Sequence, residues 1–134
     1  MSLEIRRRER EGITILDLSG RITAGQEVGE LRDALQALAP EGVRNVILNL
    51  REIEYIDSTG LGALVMCFTS LRNLDGKLKL ENLNRRNIEL LVFTKLTTVF
   101  EIFSDELDAV NSFFPGRQIK RFDILSFVRE QTGQ

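Results

Sequence analysis

The sequence contains no histidine and no tryptophan, and it has one cysteine and two prolines among its 134 residues. The absence of histidine removes the most common general base and the most common metal ligand from the chain. The single cysteine, Cys67, excludes a disulfide within the chain and a cysteine-based metal cluster. These absences argue against an enzyme and against a metal protein, and we expect no cofactor.

The sequence also lacks an excess of charge of either sign. It has 18 basic and 20 acidic residues, a net charge of -2, and the two signs are mixed along the chain. Such a balance creates no field that would attract nucleic acid or an anionic membrane. No apolar run approaches the length of a membrane span, and the N-terminus lacks the pattern of a signal peptide. We therefore expect a cytoplasmic protein with no membrane insertion and no direct contact with nucleic acid.

Sequence motifs of the common enzymes are missing as well. There is no phosphate-binding loop of the Gly-Lys-Ser/Thr type and no Gly-x-Gly-x-x-Gly dinucleotide motif. Ser58 has no glycine two residues before it, and without histidine a hydrolase triad is not available. Carboxylates are plentiful, but no pair stands out by position, so they are interpreted as surface charges.

Several segments have the hydrophobic pattern of β-strands. Leu3–Arg8 and Ile13–Leu18, joined by a turn at Glu11 and Gly12, suggest a hairpin. The apolar run "NVILNL", residues 45–50, is typical of a strand covered on both faces and is placed at the centre of the sheet. The alternation in "KLKLEN", residues 77–82, predicts a half-exposed strand, and a further short strand is predicted around residues 99–103.

Other segments have helical spacing. Three helices are indicated by apolar positions three and four residues apart: Val28, Leu31, Leu35 and Leu38 before Pro40; Leu61, Leu64, Val65, Phe68 and Leu71 before Asp75 and Gly76; and Ile88, Leu91 and Val92. A fourth helix is expected to be capped by Ser104, with Leu107, Val110 and Phe114 facing inward. Strands that alternate with helices imply crossover connections, so the fold is predicted to be α/β with a mixed, largely parallel sheet.

A break at Pro115 and Gly116 divides the chain into a domain over residues 1–114 and a C-terminal extension over residues 115–134. The secondary structure of the extension is ambiguous, because its apolar residues fit strand alternation and helical spacing only in part. These residues are too many for a solvated tail, however. Two roles stay open for the extension, namely packing on the sheet and self-association.

The stretch "DSTGLG", residues 57–62, stands between a buried strand and an amphipathic helix. Asp57, Ser58 and Thr59 are all suited to cap that helix. A cap alone does not account for Gly60 and Gly62, since each costs about 1 kcal/mol relative to alanine inside a helix. We interpret these glycines as leaving backbone uncovered so that another surface can approach closely. An exposed hydroxyl at this helix N-terminus could accept a phosphate.

The segment "NVILNLREIEYIDSTGLGALV" resembles the anti-sigma factor antagonists, small bacterial proteins of the sulfate-transporter-and-antagonist (STAS) fold. Their signature is a strand followed by Asp-Ser-Ser/Thr-Gly-Leu-Gly. The resemblance runs from about Leu3 to Phe114, which implies a single STAS domain followed by the extension. In that family the serine after the aspartate is phosphorylated, and the matching residue is Ser58, with Thr59 as the second choice. We expect Thr59 to be chiefly structural, with its hydroxyl bonded to nearby backbone.

The resemblance also implies partners and a regulatory cycle. An antagonist binds an anti-sigma factor that is also a serine kinase, releases sigma factor to act in transcription, loses that binding when phosphorylated, and is reset by a serine phosphatase. Partner contact is assigned to the signature, Asp57, Ser58, Thr59, Gly60, Leu61 and Gly62. It is also assigned to Arg21 and Thr23 of "GRIT", a segment that is acidic in many antagonists and is expected here as a loop after the second strand.

Two functions without enzymatic activity therefore remain. One is an interaction module switched by phosphorylation, and the alternative is a non-switching STAS subunit or scaffold of a transporter or signalling complex. A small-molecule enzyme is the weakest interpretation. The fold itself does not separate the first two, because function belongs to the site and its partners.

Overall fold

The computed structural model describes residues 3–132 as a five-stranded sheet with helices on both faces. The strands are β1 (Glu4–Arg10), β2 (Ile13–Ile22), β3 (Asn45–Ile56), β4 (Lys77–Glu81) and β5 (Ile102–Phe103). The helices are α1 (Gln26–Gln36), α2 (Ser58–Asn73), α3 (Arg85–Phe93), α4 (Glu106–Asn111) and α5 (Ile124–Thr132). The first two residues of the predicted domain and the last two of the predicted extension lie outside the described residues. Within residues 3–132, no helix is long and apolar enough to cross a membrane.

The strands lie in the sheet in chain order, from β1 to β5. β1 is antiparallel to β2, and the pairs β2–β3, β3–β4 and β4–β5 are parallel. The predicted α/β fold, the opening hairpin and the central position of residues 45–50 are confirmed. Each parallel pair is joined by a crossover helix, as the alternating pattern implies.

Alternate residues of the central strands supply two separate cores. Leu16 and Leu48 belong to the larger core, which also contains apolar residues of α1, α2, α3 and α5. Ile15 and Ile47 point to the opposite face, where α4 covers them in a smaller core. Cys67 lies in the larger core, and burial raises the pKa of its thiol to about 11. The thiol is therefore protonated and unreactive at neutral pH.

The prediction that the β4 segment is half-exposed is wrong, because Leu78 to Glu81 are all buried. α4 and the chain after it cover the polar side of this strand. Lys79 donates a hydrogen bond to Ser112 Oγ at 2.8 Å and pairs with the Glu101 carboxylate at 3.1 Å. These partners compensate the buried ammonium group, which explains how a charged side chain is accommodated inside the fold.

Glu81, also on the polar side of β4, has a fully buried side chain, and its Oε1 atom has no hydrogen-bond partner in the described chain. Burial and, second, the neighbouring Glu106 raise the pKa of Glu81 to about 9. Arg8 contacts both Glu106 carboxylate oxygens and lowers the pKa of that group to about 2. Of the two carboxyls, Glu81 is thus the protonated one at neutral pH.

The start of α4 differs from the prediction by one residue. The capping group is the carboxylate of Asp105, not Ser104, and it accepts hydrogen bonds from the N–H groups of Leu107 at 2.6 Å and Asp108 at 3.3 Å. Val110 faces the core as predicted, whereas Leu107 is 51% exposed. Phe114 lies in between, partly buried against the smaller core.

The C-terminal extension packs along the edge of the sheet formed by β5. The backbone N–H of Phe122 donates to the Ile102 carbonyl at 3.3 Å, and Arg121 pairs with Glu101 at 3.2 Å. The extension then forms α5, which buries Phe127 in the larger core. Of the two roles left open, packing on the sheet is therefore confirmed.

Candidate functional site

The candidate site lies where β2 and β3 end side by side. Ile22 of β2 pairs with Ile56 of β3, and from these residues the chain passes to a short loop before α1 and directly into α2. The Asp57 N–H donates to the Ile22 carbonyl at 3.2 Å and fastens the two exits together. The carboxyl ends of parallel strands are the usual place for binding sites in open α/β sheets.

Asp57 is the N-cap of α2 and also holds the neighbouring loop. Its Oδ1 atom accepts a hydrogen bond from the Gly60 N–H at 2.7 Å, and its Oδ2 atom accepts one from the Ala24 N–H at 3.0 Å. These N–H groups, Ala24 first and Gly60 second, lower the pKa of Asp57 because they stabilise the ionised carboxylate. Both oxygens of the aspartate are thus engaged by backbone.

Ser58 and Thr59 are the first two residues of α2, and both are exposed. Neither hydroxyl makes a hydrogen bond to another residue in the part of the chain that the structure describes. The expected bond from the Thr59 hydroxyl to nearby backbone is therefore not formed. Both hydroxyls lie at the positive end of a 16-residue helix, where added negative charge is favourable.

The interpretation of Gly60 as uncovered backbone is wrong. Gly60 is buried, and a Cβ added to it would lie 1.9 Å from the carbonyl oxygen of Ile22. Glycine is required there because α2 starts in contact with the backbone of β2. Gly62 differs, since it is exposed and an added Cβ would meet nothing within 4 Å. It is the second glycine that leaves space beside the hydroxyls.

The remaining predicted site residues lie on the adjacent segments. Arg21 is within β2, which runs to Ile22, so "GRIT" is mostly strand and not the expected loop. The Arg21 side chain is exposed and pairs with Glu54 at 3.6 Å. Thr23 follows β2, and its hydroxyl donates to the Glu27 carboxylate at 3.4 Å. Leu61 is buried in the larger core, so it holds the start of α2 against the rest of the fold.

Sequence reasoning missed two features of the site. One is Ala24, which acts through its backbone N–H and therefore leaves no signal in the side-chain pattern. The other is Arg86 of α3, whose guanidinium lies 4.6 Å from the centre of the Tyr55 ring, two residues before Asp57. Within residues 3–132, no group of three or more side chains of the metal-ligating types is placed to hold a metal ion.

Comparison with known proteins agrees with this geometry. The STAS domain family model matches residues 4–109. The anti-sigma-B factor antagonist of Bacillus subtilis is 32% identical over 102 residues, which cover 76% of this chain and 92% of that relative. The chain belongs to the anti-sigma factor antagonist family of STAS domain proteins. Its relatives are named for antagonism of another protein, which agrees with the prediction of a binding protein and not an enzyme.

Solved structures of antagonists share the fold. An anti-sigma factor antagonist from Mycobacterium paratuberculosis superposes with a TM-score of 0.73 at 17% identity, over 82% of this chain and 92% of that protein. The anti-sigma factor antagonist SpoIIAA in its unphosphorylated form gives a TM-score of 0.62 at 17% identity, over 84% of this chain and 99% of that protein. In the present chain, the match to the STAS family model ends at residue 109, so α5 lies outside the matched region.

Proposed function

We propose that this chain is a phosphorylation-switched antagonist, with Ser58 as the switch. In its unmodified form it binds an anti-sigma factor that is also a serine kinase, and thereby releases sigma factor. Phosphate on Ser58 ends the binding, and a serine phosphatase restores it. The observation that carries the proposal is the Ser58 hydroxyl, which is exposed and unbonded within the described chain at the first position of α2.

The electrostatics of the site support a switch that changes binding and leaves the fold intact. A phosphate adds about -1.5 to -2 charges at pH 7. The N-terminus of α2 tolerates that charge, because the positive end of the helix dipole faces it. An interface that had formed over a neutral hydroxyl would not tolerate it, since an unmatched buried charge typically costs about 2 to 5 kcal/mol of binding free energy.

The predicted contact residues divide into three groups by exposure. Arg21, Thr59 and Gly62 are exposed and are proposed to touch the partner together with Ser58. Partly buried Thr23 and Asp57 border this surface. Gly60 and Leu61, which are buried, are proposed to set the position of the helix start instead of touching the partner.

The test is calorimetric titration into each purified serine-kinase anti-sigma factor encoded in the genome that carries this chain, with nucleotide present. The unmodified protein and Ser58→Ala should bind, and Ser58-phosphorylated protein should bind about 30-fold more weakly or worse. Ser58→Asp should bind weakly, although one carboxylate carries less charge than phosphate. Ser70→Asp, at an exposed serine near the other end of α2, is the matched control and should bind normally.

Two results would overturn the proposal. Equal affinity of the phosphorylated and unmodified forms would return Ser58 to the role of an ordinary helix residue. Absence of binding to every such kinase, together with recovery of transporter subunits from native cells, would favour the non-switching STAS subunit.

Mass spectrometry after kinase treatment shows which of the two hydroxyls, Ser58 or Thr59, is phosphorylated. Phosphate mainly on Thr59 would reverse the assignment.

A further inference from the structure

Phe93, the last residue of α3, is the most exposed large hydrophobic side chain in the described part of the chain, at 90%. Leu91 and Ile88 of the same helix face the larger core, so Phe93 is not needed to hold α3 in place. Aromatic side chains, phenylalanine among them, are enriched in protein interfaces relative to the rest of the protein surface.

Two hollows flank Phe93, and together with it they form what we call the Phe93 surface. The first has a volume of about 240 Å³ and the second about 200 Å³. The first is lined by Tyr55, Ile56, Leu90 and polar residues of α3, and the second by Glu89, Val92, Phe127 and Val128. The Phe93 side chain borders both, so an inserted apolar group on either side would contact its ring.

The first hollow is continuous in the chain with the candidate site. Tyr55 and Ile56, which line this hollow, immediately precede Asp57 and Ser58, and this adjacency connects the hollow with the candidate site. The second hollow is built in part by α5, which lies beyond residues 4–109 that match the family. One end of the Phe93 surface therefore belongs to the general fold, and the other end is supplied by the extension of this chain.

The charges around Phe93 indicate the chemistry of the occupant. Arg86 lies over the Tyr55 ring, and Lys95 is exposed just after α3. Neither side chain forms an ion pair with a carboxylate in the described chain. Glu89 lines both hollows, but its carboxylate pairs with Arg85 at 3.7 Å. The cations that remain near Phe93 in the described chain, Arg86 and Lys95, complement an apolar segment that carries carboxylates.

We propose that the Phe93 surface binds an apolar, carboxylate-bearing segment of the same anti-sigma partner that covers Ser58. The inference rests on the proposed function and extends it, because it assigns the partner a second contact. That contact includes Phe127 and Val128 of α5, so the extension contributes to which of several related anti-sigma factors the chain binds.

The experiment compares Phe93→Ala with Leu107→Ala in the same titrations. Leu107 is the matched control, since it is also exposed but belongs to α4 on the opposite face of the sheet. Phe93→Ala should weaken binding of the unmodified protein about tenfold or more, as expected for an aromatic anchor, while Leu107→Ala should leave it unchanged. Both variants should melt as the parent does, because both side chains are exposed.

Charge-reversal variants test whether the cations near Phe93 complement carboxylates of the partner. Arg86→Glu should weaken binding more than Arg72→Glu, since Arg72 also lies over an aromatic ring, Phe68, but at the far end of α2. The effect of Arg86→Glu should shrink at high salt. If Ser58-dependent binding is present and both Phe93→Ala and Arg86→Glu bind like the parent, the inference is wrong and the switch stands. If unmodified protein binds no such kinase, the proposed function fails and the inference fails with it.

Discussion

The carboxylate of Asp57 joins two segments that are 33 residues apart, because Ala24 donates its backbone N–H to Oδ2 while Gly60 donates to Oδ1. One side chain thus caps α2 and fixes the loop between β2 and α1. A partner that binds over Ser58 would therefore find this loop held in one conformation. Because of these two hydrogen bonds, Asp57 has a structural role in the site, with or without a direct contact to a partner.

Replacing Asp57 should reveal this double role. Asp57→Ala loses the cap and the loop bond, and we expect the free energy of unfolding to fall by about 1 to 2 kcal/mol. The lowered pKa of Asp57 means that this stabilisation is present above the ordinary value of 3.8 and is lost as pH falls through the folded-state pKa. Urea unfolding at pH 7 and at pH 3 measures both effects. An equal difference between parent and variant at the two pH values would contradict the assignment.

The two signature glycines should respond oppositely to alanine. Gly60→Ala places a methyl group on the Ile22 carbonyl, and the resulting displacement should cost about 1 to 3 kcal/mol or more, which exceeds the gain of about 1 kcal/mol in helix propensity. Gly62→Ala meets nothing within 4 Å and should be neutral or stabilising. Thermal melts of the pair decide the matter. A Gly60→Ala protein as stable as the parent would show that the close approach to β2 is absent.

Glu81 should give the protein an alkaline decline in stability. The unfolded carboxyl ionises near its ordinary pKa of 4.5, whereas the folded one stays protonated until about 9. Between those values the contribution of Glu81 to stability falls by about 1.4 kcal/mol per pH unit, and it is fully present only below pH 4.5. Glu106 acts in the opposite direction and only below pH 4.5, because its pKa is lowered to about 2.

Glu81→Gln keeps a hydrogen-bond donor and removes the ionisation, so it should flatten the decline between pH 5 and pH 9. Urea unfolding across that range measures the slope. Glu9→Gln, an exposed glutamate of β1, is the control and should keep the parent slope. Parallel curves for the parent and Glu81→Gln would show that Glu81 is ionised in the folded protein.

Truncation after residue 114 should weaken the fold without abolishing it. The strands and the helices α1 to α4 are complete by that point, so we expect cooperative unfolding. The loss of Phe127 from the larger core should lower stability by about 3 to 5 kcal/mol, and Phe127→Ala in the full chain should reproduce most of that loss. Calorimetry of both proteins provides the comparison. A truncated protein without a thermal transition would make the extension an integral part of the domain.

Local patterns predicted the elements well because each depends on neighbours in the chain. The period of apolar residues located β3 and α2, and the Asp-Ser-Thr sequence located the start of α2. What the patterns could not supply were contacts between distant segments. Lys79 looks solvent-facing until Ser112 and Glu101 are placed against it. Gly60 looks uncovered until Ile22 is known to lie beside it, 38 positions earlier in the chain.

The two edges of the sheet are protected from pairing with other chains by different means. β1 carries exposed charged side chains along its length, which discourages the approach of another strand. β5 is short and is covered by the extension through the bond between Phe122 and Ile102. Removing the extension therefore opens one edge and leaves the other blocked. Strand pairing between truncated molecules would then close into pairs and would not propagate into filaments.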